Sequence, residues 1–222
     1  FLIYSIIYLG ARFIFVSEGN RLTTVRFVGL FLLHTFASGL VFGFQAQSVW
    51  VLACLLCIDL ALYLIEGWTR KSNSMARGLT MIVGLGLIFG FTQNASIPRE
   101  FTETNNEALA FVFATLLCLK ESNFVIRCFF RSFHLANANE GEPGDSRTKN
   151  GRIIGGLERT LLLFFLWDDL AVAATLIIAI KGLARFKKME EDQAFAEYVI
   201  IGTFLSIIVT LLIYKIGRFL AA

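Results

Sequence analysis

The sequence is poor in the residues that mark most other architectures. It has two prolines and two histidines among 222 residues, and only 17% of the residues are charged. A soluble domain of this length would be about a quarter charged, and a transmembrane barrel would alternate apolar and polar residues in segments of roughly ten. Instead, 56% of the residues are hydrophobic and 23 are phenylalanine. The composition therefore predicts an all-α membrane protein.

Motifs that would identify an enzyme, a metal site or a nucleic-acid-binding surface are missing as well. The sequence contains no H-E-x-x-H, no P-loop and no Ser–His–Asp pattern. Its net charge of +3 includes no basic run of the kind that binds nucleic acid. Cys54 and Cys57 form a C-x-x-C in an apolar run, but no histidine or carboxylate accompanies them with zinc-like spacing. We therefore expect no catalytic residue, no metal, no cofactor and no nucleic-acid partner.

Apolar runs predict a polytopic helical transmembrane bundle of about eight spans. The runs cover residues 1–17, 27–45, 48–67, 78–92, 107–120, 153–167, 169–186 and 196–219. Lysine and arginine concentrate in alternate connections, including Arg77 after the third run and Lys120 after the fifth. Because basic connections stay in the cytoplasm, this alternation predicts both termini outside.

Residues 121–135 carry an amphipathic pattern with Arg127 and Arg131 on one face and phenylalanines on the other. The pattern predicts a cytoplasmic interfacial helix whose two arginines contact lipid headgroups. The alternative is that these residues continue the fifth span. A polar linker at 136–150 would then separate a five-span bundle, residues 1–135, from a three-span unit, residues 151–222.

One polar pair is predicted within the hairpin of the second and third spans. Folding the hairpin at its turn brings His34 and Asp59 to nearly the same depth, and Asp59 shares a helical face with Tyr63 and Glu66. A His–Asp pair would remove a bare carboxylate from lipid. It would act either as an interhelical hydrogen bond, worth about 1 kcal/mol, or as a proton or cation relay.

The last three spans carry a concentration of charges. Glu158, Arg159 and Lys181 lie inside apolar runs, and Arg185 and Glu197 lie at the predicted cytoplasmic edge. Charges in an apolar span are expensive, so they need a partner or a function. We expect the five side chains to meet in the inner half of the bundle. Two acids against three bases leave one positive charge, which would suit an anion or a lipid phosphate.

Small and polar residues accompany these charges. Gly155 and Gly156 give the sixth span a thin face beside them, and Thr203, Ser206 and Thr210 share a face of the eighth span. Next to Trp167, Asp168 and Asp169 resemble a metal-binding pair, but we expect them to cap the N-terminus of the next helix.

Three segments of this region, GRIIGGLER, KGLARFKKMEE and FAEYVIIGTFLS, carry a resemblance to a known family. They resemble the pattern G-[RK]-x-IG-x-LER, K-x-x-ARFK and AEY-x-IGT-x-x-S of an uncharacterised family of bacterial integral membrane proteins. The resemblance covers residues 151–210. It implies a multi-pass protein of the bacterial cytoplasmic (inner) membrane, and it implies no reaction.

Two functions follow as hypotheses. The first is a channel- or carrier-like protein whose charged intramembrane residues line a polar path. The second is a membrane-embedded subunit or anchor whose cytoplasmic face docks a soluble partner or lipid headgroups. The partners expected are the lipid bilayer, an anionic lipid, and either a second copy of the chain or a soluble cytoplasmic protein.

Overall fold

A computed structural model describes residues 2–16, 22–42, 46–69, 74–94, 106–133 and 146–221. These residues are helical apart from short turns, and no strand occurs among them, which confirms the all-α prediction. The chain forms two compact units. The first comprises Phe1–Leu116 with Leu220–Ala222, and the second comprises Leu117–Phe219.

The first unit is a bundle in which α1 packs against α2 and α5, and α3 packs against α2 and α4. Its helices are α1 (Leu2–Phe15), α2 (Thr24–Phe42), α3 (Ala46–Thr69), α4 (Ser74–Asn94) and α5 (Asn106–Leu116). Long apolar runs form these helices because every backbone polar group must be satisfied within the segment when water is excluded.

The second unit begins with a π-helical segment, and the helix α7 packs against both this segment and α8. The elements are the π segment (Leu117–Glu121), α6 (Ser122–Ser132), α7 (Ser146–Trp167), α8 (Ala171–Glu191) and α9 (Gln193–Ala221). The described helix runs without interruption from Asn106 to Ser132. That continuity favours the alternative in which residues 121–135 extend the fifth predicted span. An interfacial position for α6 stays a prediction.

The division into units falls at Leu116 and Leu117. The predicted linker at 136–150 lies largely outside the described residues, since the description stops at 133 and resumes at 146. The proposed boundary between residues 1–135 and 151–222 therefore stays a prediction.

Three helices are long and apolar enough to cross a membrane: Leu52–Thr69, Asn106–Phe130 and Gln193–Ala221. They correspond to the third, fifth and eighth predicted spans. Leu2–Phe15, Thr24–Phe36 and Met75–Gly90 are apolar but shorter. The sixth and seventh predicted spans form helices α7 and α8, whose ends carry charged residues. The helices are thus observed, while the number of crossings stays a prediction.

Many large apolar side chains are exposed among the described residues, and several charged side chains are buried. Trp68 is 90% exposed and Phe219 is 78% exposed, whereas Arg12 and Arg77 are fully buried. Soluble monomers rarely expose apolar surface on this scale, and they seldom bury arginine fully. Exposed apolar side chains together with buried charges are what helices in contact with lipid would show.

Two of the bases used to predict the orientation are not loop residues. Arg77 lies within α4, and Lys120 lies within the π segment, where it is 9% exposed. Their placement in connecting segments was wrong, because both residues lie in helices with their side chains buried. Fewer basic residues in connecting segments therefore support the predicted orientation of the chain in the membrane.

The turn between α7 and α8 differs from the predicted one. Leu170 rather than an aspartate precedes α8, and no side chain caps that helix. Asp169 instead has a left-handed backbone, with φ of 56°. Leu170 N donates to Phe165 O at 2.7 Å, and Asp169 N donates to Leu166 O at 3.4 Å. This pattern is a Schellman motif that ends α7, so Asp169 serves the preceding helix and not the following one.

Candidate functional site

The first unit contains a buried ionic network that begins with Glu66 and Arg77. The Arg77 guanidinium donates to both carboxylate oxygens of Glu66, at 2.5 and 2.7 Å. The backbone N–H of Leu22 also donates to Glu66 Oε2, at 2.7 Å. Both charged side chains are fully buried. Bidentate geometry and the third donor compensate the burial of this carboxylate.

Arg12 connects this pair to Asp59. Its Nη2 donates to the carbonyl oxygen of Arg77 at 2.9 Å, and its Nη1 lies 3.4 Å from Thr80 Oγ1. The same Nη1 lies 3.9 Å from Asp59 Oδ1. A base on α1 thus joins an ionic pair between α3 and α4 to a carboxylate on α3.

His34 and Asp59 lie together, as the hairpin predicted. His34 Nδ1 is 3.1 Å from Asp59 Oδ2, and the two side chains are 2% and 1% exposed. The Tyr8 ring stacks on the imidazole with 5.4 Å between centroids, and the Tyr8 hydroxyl donates to Thr80 O. Besides His34, the network contains two acids, Asp59 and Glu66, and two bases, Arg12 and Arg77.

Sequence reasoning identified only part of this network. The spacing of Asp59 and Glu66 on one helical face was a sufficient signal for the two acids. Arg12 and Arg77 were missed as their partners because both lie near the ends of apolar runs, where arginine is usually a loop or interfacial residue.

The second unit contains an ion pair between α7 and α8. Lys181 Nζ lies 2.6 Å from Glu158 Oε2, and the side chains are 15% and 21% exposed. The sequence predicted that these groups would meet. Unlike the pair formed by Glu66 and Arg77, this pair keeps some accessible surface.

Arg159 points away from the ion pair although it is adjacent to Glu158. Successive helical residues are about 100° apart around the axis, so Arg159 faces the π segment, where its Nε donates to the carbonyl oxygen of Cys118 at 3.1 Å. Its Nη2 donates to Asn123 Oδ1. Arg159 is 4% exposed, so its positive charge is committed to acceptors within the unit.

Gly156 allows α7 to approach the π segment. A Cβ added at this position would lie 3.1 Å from the carbonyl oxygen of Leu119, which is tighter than ordinary contact. At Gly155, an added Cβ would lie 3.3 Å from Arg159 Nη1. The missing side chain of Gly156 therefore lets the two backbones approach each other. The missing side chain of Gly155 leaves room for the Arg159 guanidinium.

Arg185 and Glu197 do not complete the predicted five-residue cluster. Arg185 is half-buried on α8, and Glu197 is exposed on α9, where it accepts a hydrogen bond from Gln193 Nε2 at 3.3 Å. In the part of the chain that the structure describes, the ion pair does not extend to either residue. The predicted cluster therefore included two residues too many. Arg185 and Glu197 lie beyond the turns of α8 and α9 that face Glu158.

The ion pair borders a small cavity of about 20 Å³ between α7, α8 and α9. A single water needs roughly 10–15 Å³ of this kind of volume, so the cavity is about as large as one water. Its wall is formed by Glu158, Arg159, Leu162, Ile177, Ile178, Lys181, Thr203, Ser206 and Ile207. The polar face predicted on α9 is thus brought to Glu158 and Lys181 through Thr203 and Ser206.

Arg127 and Arg131, which were predicted to contact lipid headgroups, both lie on α6. Arg127 is half-buried, donates to Asn123 O at 3.3 Å and lies over the Phe124 ring at 5.2 Å. The side chain of Arg131 lies outside the described residues. Phe130, one of the phenylalanines on the opposite face, is 5% exposed and packs on Tyr198 of α9.

Metal coordination has no candidate within the described ranges, where no group of three histidine, cysteine or acidic side chains converges. Comparison with known proteins assigns no relative, since no family model, no curated protein and no solved structure matches the chain. The resemblance of residues 151–210 to an uncharacterised bacterial membrane family stays a prediction.

Proposed function

We propose that this chain is a channel- or carrier-like integral membrane protein whose permeation site is the Glu158–Lys181 pair with its cavity. The observation that carries the proposal is this ion pair on the wall of a water-sized cavity between three helices. Ionisable groups inside an apolar helical bundle are by default candidates for an ion or proton path.

The membrane location is supported by the helices long enough to cross a bilayer and by the apolar exterior. We propose about eight crossings with both termini outside and, from the resemblance of the C-terminal segments, residence in a bacterial cytoplasmic membrane. The lipid bilayer is then the partner that covers the exposed apolar side chains, because burying them in acyl chains removes them from water.

The first unit does not provide the permeation site in this proposal. Glu66 and Arg77 use their polar atoms on each other and on backbone groups, and both are fully buried. We propose that this network, including His34 and Asp59, fixes the helices α1 to α4. Glu158 and Lys181 keep accessible surface, which a group must have if it exchanges an ion or a proton.

Flux through purified protein in lipid vesicles tests the proposal. We expect wild-type vesicles to conduct or exchange a small ion, and we expect Glu158→Gln and Lys181→Met to reduce the flux to that of empty vesicles. Glu190→Gln and Lys187→Met are matched controls, because both residues are exposed on the same helix as Lys181. Wild-type flux in the two site variants would refute the assignment.

Docking of a soluble cytoplasmic partner is the second candidate. The observation in its favour is that the last turns of α8 expose Lys187, Lys188, Glu190 and Glu191 beyond the apolar part of the helix. Reversing the charge of Lys187 and Lys188 would abolish capture of a partner while leaving vesicle flux unchanged. The permeation proposal predicts no such dependence on these lysines.

A further inference from the structure

Helix α9 carries charged residues near both ends, separated by an uncharged stretch that matches the thickness of a bilayer core. No charged residue occurs between Glu197 and Lys215, and the helix from Gln193 to Ala221 is apolar enough to cross a membrane. At 1.5 Å per residue, Lys215 lies about 27 Å and Arg218 about 32 Å along the helix from Glu197. The hydrocarbon core of a bilayer is about 30 Å thick. If α9 crosses a bilayer, Lys215 and Arg218 therefore reach the level of the lipid headgroups.

Aromatic side chains accompany the two bases at this end. The Trp167 ring, at the end of α7, packs edge-on against the Tyr214 ring with 6.1 Å between the centroids. The Arg218 guanidinium lies 5.7 Å from the centre of the Trp167 ring, and Lys215 Nζ lies 5.9 Å from the centre of the Tyr214 ring. Tryptophan and tyrosine concentrate where hydrocarbon meets headgroups. We call these four side chains the interfacial patch.

The bases of the interfacial patch are accessible. Lys215 and Arg218 are exposed, whereas the Trp167 and Tyr214 rings are half-buried. Cation–π contact with the rings favours positions in which the cationic groups stay at the surface. A phosphate accepts charge-assisted hydrogen bonds from ammonium and guanidinium groups, and these are among the strongest hydrogen bonds that proteins make. The patch therefore has the donors that bind the phosphate of a lipid.

Two acids lie beside the patch. Asp168 and Asp169 follow Trp167 directly and are exposed in the turn after α7. Two carboxylates and two bases balance each other, so a headgroup with a net negative charge gains little from the region as a whole. A headgroup that carries a positive amine next to its phosphate matches both signs of charge.

We propose that the interfacial patch, with Asp168 and Asp169, binds the headgroup of a zwitterionic phospholipid that has a primary amine. The lipid phosphate accepts hydrogen bonds from Lys215 and Arg218, and the ammonium donates to the two carboxylates. Phosphatidylethanolamine has this headgroup. Phosphatidylcholine carries the same charges, but its quaternary ammonium has no N–H to donate. This inference rests on the membrane location given under the proposed function and is independent of the permeation site.

Native mass spectrometry of the full chain in detergent, with one lipid added at a time, tests the proposal. The probes are phosphatidylethanolamine, phosphatidylcholine and phosphatidylglycerol with identical acyl chains, and we expect the first to bind most tightly. Replacing both bases, Lys215→Gln with Arg218→Gln, should weaken phosphatidylethanolamine binding about tenfold or more, because both charged donors are lost. Lys187→Gln with Lys188→Gln is the matched control. It removes two exposed bases from α8 and should bind as the wild type does.

The two acids provide a second variant, which tests the choice of headgroup. Asp168→Asn with Asp169→Asn keeps the side-chain shapes, and asparagine is among the residues that tolerate the left-handed backbone of Asp169. Because the charges that remain in the patch are positive, we expect the preference to change from phosphatidylethanolamine to the anionic phosphatidylglycerol. A wild-type protein that binds the three lipids equally, or an unchanged preference in this variant, would overturn the proposal.

Unchanged phosphatidylethanolamine binding after replacement of Lys215 and Arg218 would overturn the proposal as well. None of these measurements involves flux, so loss of the lipid preference leaves the permeation proposal intact, and absence of flux leaves the lipid site intact. A chain that does not enter lipid vesicles would refute the membrane location on which both proposals rest.

Discussion

The two units bury the same kinds of charged residue in different ways. In the first unit, Glu66 accepts three hydrogen bonds and is fully buried against Arg77. In the second, Glu158 contacts Lys181 beside a cavity and keeps 21% of its side-chain surface. A fully buried carboxylate that accepts three hydrogen bonds holds helices together. A carboxylate with one basic partner and some accessible surface is held less firmly, so the loss of the two carboxylates is expected to have different costs.

The largest expected effect comes from breaking the ionic network of the first unit at Glu66. Glu66→Gln leaves Arg77 buried without its counter-charge, and loss of one partner of a buried ion pair costs about 3–5 kcal/mol. The free energy of unfolding, measured by titrating detergent-solubilised protein with SDS, should fall by that amount. Glu107→Gln, at an exposed position of α5, is the control. A loss as small as the control's would show that the network is dispensable.

The approach of α7 to the π segment gives the next largest effect. Gly156→Ala places a methyl group 3.1 Å from the Leu119 carbonyl oxygen, and such overpacking typically costs about 1–3 kcal/mol. Gly182→Ala meets no atom within 4 Å and should instead stabilise α8 by up to about 1 kcal/mol, the difference in helix propensity. Opposite signs in SDS unfolding would confirm the close contact; equal signs would exclude it.

Breaking the Glu158–Lys181 pair should cost less stability than breaking the pair formed by Glu66 and Arg77. Lys181→Met removes a partner that keeps 15% exposure, so we expect a loss of about 1–2 kcal/mol, between the values for exposed and fully buried pairs. The double variant with Glu158→Gln should recover part of this loss. Loss as large as that of Glu66→Gln would remove the distinction between the two regions.

The turn that sets α7 against α8 gives the smallest effect. Asp169 has a left-handed backbone, which glycine adopts without the steric cost that other residues carry. Asp169→Gly should therefore stabilise the second unit by less than about 1 kcal/mol. Asp168→Gly, one residue earlier, should destabilise it instead. Thermal unfolding of the two variants measures the difference, and a stabilising Asp168→Gly would contradict the Schellman assignment.

Local patterns predicted the helices and several contacts. The hairpin turn predicted that His34 would meet Asp59, and helical spacing predicted that Glu158 would meet Lys181, because both follow from the rise per residue and one connection. Predictions that needed a third helix failed or were incomplete. The partners of Glu66 and the anchor of Arg159 depend on helices distant in sequence, and the charge pattern alone placed Arg77 and Lys120 in loops.

The sequence by itself determined an all-helical chain with apolar helices and with charges inside them, because composition and periodicity are properties of each segment alone. The tertiary structure decided which charges are neutralised completely and which border a cavity. It committed Arg159 to the π segment and left Arg185 and Glu197 outside the cluster. The physical reason is that the free energy of a buried charge depends on the donors, acceptors and space around it, and helices remote in the sequence supply these.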